Sequence, residues 1–211
     1  MARGFKRKGE HYVAKLDPVE RGLVVGLMEQ VRELVAPENP VPDPRAGGDA
    51  FDQIVAGLGG SGWGVSVSAE DQLPSHPSAA DGRQERDPAL ERLLPTAHRE
   101  DEQIAAEFRR LTEQGLRARK SANLSAAIAA LASVEEQRVE LAHDQAVAMV
   151  VALTDVRLVL GERLGLRADD DLGFLEDQVA GLEDDDPAVY ALAVYDFLTW
   201  LQETLAHALA R

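Results

Sequence analysis

The sequence predicts a mainly α-helical domain with a small N-terminal β-hairpin and a long flexible insertion. Three observations carry this. Outside residues 37–90, apolar residues recur at intervals of three and four over most of the chain, the pattern of helices with one face turned to a core. Two of these stretches open on an aspartate followed by a proline, Asp17-Pro18 and Asp186-Pro187. There the carboxylate can cap free amides, and proline suits a first turn whose N–H has no partner. Residues 37–90 hold seven of the ten prolines and eight of the seventeen glycines. With 211 residues, 45% of them hydrophobic, the chain has enough apolar material for one packed domain plus a loop.

Taken in order, Phe5 to Lys8 and His11 to Leu16 flank Gly9-Glu10 and read as a hairpin. Asp17, Pro18 and Glu20 then form a capping signal. Val19, Leu23, Leu27, Val31 and Leu34, with Val24, Met28 and Val35 beside them, give a helix over 18–35 that ends at Pro37. Residues 37–90 read as a flexible insertion, interrupted by Phe51–Leu58 and Gly64–Ser68. Ile104, Phe108 and Leu111 predict an apolar stripe on a helix from about 100 to 116, and Leu124, Ile128 and Leu131 a second helix from about 120 to 133. Val139-Glu140-Leu141 could form a very short strand. Residues 143–164 are apolar nearly all round, which predicts a central, buried helix. Leu172, Leu175, Val179 and Leu182 predict a short helix. Tyr190, Val194, Phe197, Leu201, Leu205 and Leu209 mark one face of a last long one. The organisation is therefore 1–36, hairpin plus helix packing on the main domain; 37–90, insertion; and 91–211, helical domain.

The chain has no cysteine, which excludes disulfides, thiolate zinc sites, iron–sulfur clusters and a cysteine nucleophile. No signal peptide follows the basic start, and charges interrupt every apolar run, so a cytoplasmic protein without a membrane span is expected. The net charge of −15 argues against a chain that mainly coats nucleic acid. That charge is unevenly spread. Residues 134–211 carry 17 acidic and 5 basic residues, net −12; residues 1–36 carry 7 basic and 5 acidic, net +2; residues 99–120 carry 6 basic and 5 acidic, net +1. Any nucleic-acid contact should therefore come from the N-terminal hairpin or from Arg109, Arg110, Arg117, Arg119 and Lys120. Arg109, Arg110 and Arg117 fall off the 104–108–111 stripe, so replacing them is expected to spare the core. The plainer alternative is a solvated helix face with pairs such as Glu113 and Arg117.

Gly57-Leu58-Gly59-Gly60-Ser61-Gly62 matches the dinucleotide fingerprint in letters only, because no strand–turn–helix context surrounds it. No P-loop and no nucleophile elbow is present. His98 with Glu102, and His143 with Asp144, do not build a paired-helix metal site. The runs Asp169–Asp171 and Asp184–Asp186 fit helix caps better than a calcium loop. No catalytic constellation, cofactor site or metal site is expected.

Three stretches carry a family resemblance. The first is Leu93-Leu94-Pro95-Thr96-Ala97-His98-Arg99 with Glu107-Phe108-Arg109-Arg110-Leu111-Thr112-Glu113 and Leu116-Arg117, Arg119-Lys120. The second is Asp155-Val156-Arg157-Leu158-Val159-Leu160-Gly161, Arg163-Leu164-Gly165-Leu166. The third is Tyr195-Asp196-Phe197-Leu198-Thr199-Trp200-Leu201-Gln202-Glu203. Together they resemble an actinobacterial domain-of-unknown-function family also named the oxidative-stress regulator AosR family. The resemblance implies a non-enzymatic transcriptional regulator of antioxidant genes, acting through DNA, RNA polymerase or a sigma factor. A thiol-sensing mechanism cannot be carried over to a chain without cysteine. The alternative is an acidic helical adaptor or scaffold without nucleic-acid binding, linked to Clp proteolysis through the family's gene neighbours.

Overall fold

A computed structural model describes residues 2–36, 86–96, 101–134, 136–168, 170–183 and 185–211. The islands and glycine run of the insertion lie outside these residues, as do His98, Asp169 and Asp184. Among the described residues there are six helices and one three-stranded antiparallel sheet.

Strands β1 (Arg3–Lys8) and β2 (His11–Lys15) form the expected hairpin, with Lys8 opposite His11 and Gly9 in the left-handed region at φ +64°. Strand β3 (Arg138–Leu141) is the short segment expected around Val139. It adds to the other edge of β2, pairing Lys15 with Arg138 and Tyr12 with Leu141. Side chains alternate between the two faces of a sheet. Tyr12, Ala14, Val139 and Leu141 are buried on the inner face, whereas His11, Lys15, Arg138 and Glu140 are exposed on the outer one.

Helix α1 spans Pro18–Leu34. Asp17 Oδ1 accepts from the Val19 and Glu20 amides at 2.9 Å, and Glu20 Oε2 accepts from the Asp17 amide at 2.8 Å, a complete capping box. Its buried arc is Val24, Leu27, Met28 and Val31, continued by Val35. Val19, placed on the core stripe by spacing, is 79% exposed. Two overlapping apolar arcs exist on this helix, and packing against the helices described next selects one of them.

Helix α2 (Pro88–Leu93) begins inside the range read as insertion, capped by Asp87 on the Ala89 amide at 2.8 Å. Asp87-Pro88 is the same start signal as at 17 and 186, hidden by the surrounding composition. Helix α3 runs unbroken from Glu102 to Ala132, where two helices were expected. Arg117, Ala118 and Arg119 at the expected break are good helix formers, and no proline intervenes. Its core face holds Leu124, Ala127, Ile128 and Leu131. The predicted stripe is overturned: Ile104, Phe108 and Leu111 are 54%, 49% and 68% exposed.

Helix α4 (His143–Arg163) is the central helix the sequence predicts. Met149, Leu153, Val156 and Leu160 are fully buried, and it packs on α1, α2, α3 and the last helix. Helix α5 (Asp171–Val179) is short, and helix α6 (Pro187–Leu209) closes the domain, with Leu198, Leu201 and Leu205 buried. Tyr190, expected on that face, is half exposed. Of the acidic runs, Asp186 caps α6 through the Ala188 amide at 2.8 Å. Asp171 instead accepts backward, from the amides of Ala168 and Arg167, and those bonds lower its pKa. Strand β1 lies across α6. The Phe5 amide donates to Thr204 Oγ1 at 3.1 Å, and a Cβ on Gly4 would fall 2.6 Å from Thr204, so only glycine fits there. No helix among the described residues is long and apolar enough to cross a membrane.

Candidate nucleic-acid interface

The five cations nominated on α3 do not make one face. Arg117 is 7% exposed. Its Nε donates to Glu113 Oε1 at 2.8 Å, and its Nη1 to the carbonyls of Ala36 at 3.0 Å and Leu34 at 3.5 Å. The expectation that its replacement spares the core is therefore corrected: a guanidinium that holds the end of α1 is part of the core's frame. Lys120 Nζ lies 2.6 Å from Asp155 Oδ1, and Arg109 Nη2 donates to Thr96 Oγ1 at 2.9 Å. Arg110 and Arg119 are exposed. They are nine residues apart, about half a turn round the helix at 3.6 residues per turn, so they point in opposite directions.

The electrostatics agree with a structural role for two of the five. Burial alone would raise the pKa of Glu113, but the hydrogen bonds and charges of Arg117 and Arg86 outweigh it and hold the carboxyl below its ordinary value. For Asp155 the balance is reversed: desolvation wins over Lys120, and the pKa is raised. Other residues of the resembling stretches also join helices. Arg157 Nη1 donates to Gln202 Oε1 at 2.7 Å, and its guanidinium lies 5.2 Å from the centre of the Tyr195 ring, tying α4 to α6.

A coherent basic surface lies instead on the outer face of the sheet. Arg3, Lys15 and Arg138 stand in one row across all three strands; Lys6, Val13 and Glu140 form the next row, and Lys8 and His11 the tip. The register shift between Arg3 and Lys6 brings both onto this face in spite of their odd spacing. Strands sit about 4.8 Å apart, so the three cations of the first row fall within about 10 Å. All five cations are exposed, and Val13 beneath them is covered. Glu140 is the one carboxylate in these rows; it pairs with Arg138 at 2.8 Å and lies 3.7 Å from His11. Like charges directly opposite one another on a sheet are destabilising, so folding alone does not ask for Arg3, Lys15 and Arg138 in a row. Lysine on an edge strand can serve to block aggregation, but Lys15 belongs to the central strand.

Beside the hairpin tip is a cleft of about 380 Å³ lined by Arg7, Glu10, His11, Tyr12, Ala142 and His143. Tyr12 Oη and His143 Nδ1 share a hydrogen bond of 3.1 Å at its base. Sequence reasoning found the basic hairpin as a source of charge but missed Arg138. Its membership depends on β3 pairing with β2 across more than half the chain, for which a four-residue strand carries no local signal.

The chain matches, over residues 2–209, the family described as a domain of unknown function (DUF2017). It belongs to that family. No protein of curated function and no solved structure matches it. The span matched to DUF2017 takes in the basic sheet face and the six described helices, so the charged face and the helical body beneath it fall within one family unit.

Proposed function

We propose that this DUF2017 protein is a non-enzymatic transcriptional regulator of the oxidative-stress type that the sequence resemblance implies, binding nucleic-acid phosphates through Arg3, Lys6, Lys8, Lys15 and Arg138. The observation that carries the reading is the row of cations across β1, β2 and β3. A net charge of −15 is compatible with phosphate binding when the cations are gathered on one face, because binding responds to the local field. The acidic body, net −12 over residues 134–211, supports a second contact with a basic protein surface such as a sigma factor or polymerase presents.

The test is fluorescence anisotropy with a labelled DNA duplex over a range of salt. Each phosphate contact contributes about −0.9 to the slope of log K against log salt, so five contacts set a limit of about −4.5. Reversing Lys6 and Lys15 to Glu is expected to weaken binding at least tenfold and flatten that slope by about two contacts' worth. Reversing Arg110 and Arg119 is expected to change little. Binding that ignores the sheet changes, or no binding at low salt, would leave the adaptor reading in its place. Because the chain has no cysteine, peroxide followed by dithiothreitol is expected to leave the affinity unchanged; a reversible shift would show a sensing chemistry outside thiols.

A further inference from the structure

Helix α3 has two apolar faces. One packs on the domain. The other carries Ile104, Phe108, Leu111, Gly115, Ala118 and Ala122, all exposed; Phe108 is half covered where it borders Leu94, Pro95 and Thr96. Their spacing is 4-3-4-3-4, the repeat that keeps a seam facing a second helix. Not one of the six is charged, in a chain that is 28% charged.

We propose that a second copy of this chain docks on this seam, the two α3 helices running antiparallel about a two-fold axis near residue 113. The order of the seam favours this arrangement. Its first three positions are large and its last three small. Run antiparallel, each large side chain meets a small one: Ile104 meets Ala122 of the other copy, Phe108 meets Ala118, and Leu111 meets Gly115. Layers that alternate large and small interdigitate. A parallel pair would set Phe108 on Phe108 and Gly115 on Gly115, holding the helices apart at one end and leaving a gap at the other. A two-fold contact must be complementary to itself, and this seam is.

Two further observations agree. Glycine is a poor helix former, yet Gly115 sits inside a 31-residue helix, and a Cβ there would meet nothing within 4 Å. Packing within one copy does not require it, whereas close approach of a second helix does. Charge also permits the contact. Residues 102–132 carry 5 basic and 3 acidic residues, net +2, in a chain of net −15, so two acidic copies meet away from their strongly acidic C-terminal halves. Beside the seam, Gln114 faces Gln114, Thr112 faces Thr112 and Glu107 falls near Ser121, so no like charges are opposed. The paired segment is about 27 Å long at 1.5 Å per residue. The contact then buries on the order of 900 Å² in total, the size of a reversible association. The proposal rests on the helix seam alone and does not depend on nucleic-acid binding.

The test uses the full chain. Sedimentation of the unmodified protein is expected to show a monomer–dimer equilibrium in the micromolar range. Ala118→Glu is expected to leave monomer only, with helical content and melting unchanged because the position is exposed. The absence of native cysteine makes single-cysteine crosslinking unambiguous. With a short bismaleimide, Gln114→Cys is expected to give a covalent dimer, and Ile104→Cys to remain uncrosslinked because its counterpart is Ala122. A chain that stays monomeric at every concentration, including by covering the seam with its own residues 37–85, would overturn the proposal. So would Ile104→Cys crosslinking as readily as Gln114→Cys, or an Ala118→Glu variant that still dimerises.

Discussion

Replacing Arg117 with methionine is expected to cost about 2–4 kcal/mol of folding stability, because charge-assisted hydrogen bonds to three part-buried acceptors are lost. Its guanidinium meets three groups at once: Glu113 and the carbonyls of Leu34 and Ala36. Those carbonyls lie at the C-terminal end of α1, where a helix has no acceptors' partners of its own. Glu113 also holds Arg86. The two arginines thus fasten Ala36 and Arg86, the described residues on either side of 37–85, to one carboxylate of α3. For a chain of this size the loss corresponds to a fall of about 10 °C in melting temperature. Urea unfolding measures it directly, with Arg110→Met as the comparison, expected within about 0.5 kcal/mol of the native chain because that side chain is exposed. Equal effects at the two positions would refute the structural role of Arg117. Acid gives a second check. The folded pKa of Glu113 lies below its unfolded value, so its contribution is fully present above the ordinary carboxylate range and is lost as pH falls through the folded value. The stability gap between the native chain and Glu113→Gln is expected to close on that descent.

What the sequence disclosed depended on the range of the signal. Capping is local, so Asp17 with Glu20 and Asp186 with Pro187 located helix starts that the structure reproduces. The all-round apolar run at 143–164 announced its own burial, and α4 is central. Where two apolar faces share one helix, periodicity cannot say which of them the core takes. That is why spacing places Ile104, Phe108 and Leu111 in the core although they are about half or more exposed, while Leu124, Ile128 and Leu131 further along the same helix are buried. The same limit applies to charge. A mixed-sign helix reads identically whether its arginines are solvated or enclosed, and only the approach of α1 and α4 made Arg117 and Lys120 internal. The row Arg3, Lys15 and Arg138 needed a pairing between segments more than a hundred residues apart.

Lys120→Met is expected to be at least as damaging as Arg117→Met, and a second substitution should repair it. Asp155 sits in the middle of α4 with 3% of its side chain exposed; Lys120 is its ion-pair partner at 2.6 Å, and its Oδ2 is buried with no hydrogen-bond partner among the described residues. Removing the lysine strands a carboxylate in the core, at a cost of about 3–5 kcal/mol. Replacing both, Lys120→Met with Asp155→Leu, exchanges the pair for apolar side chains of similar volume, which is often neutral or stabilising. The double variant should therefore recover most of the loss, and the cycle should show strong coupling between two residues 35 positions apart. The pH dependence has a definite sign. Desolvation already raises the folded pKa of Asp155 above its unfolded value, so the cost of its charge is greatest above the folded value and is relieved as pH falls through it. Without Lys120 that value rises further. The deficit of Lys120→Met against the native chain should then be largest near neutrality and narrow toward acid, because the variant is relieved of its buried charge. A deficit that stays constant from neutral to acid, or a double variant no better than the single one, would show that Lys120 acts through its aliphatic packing and not through its charge.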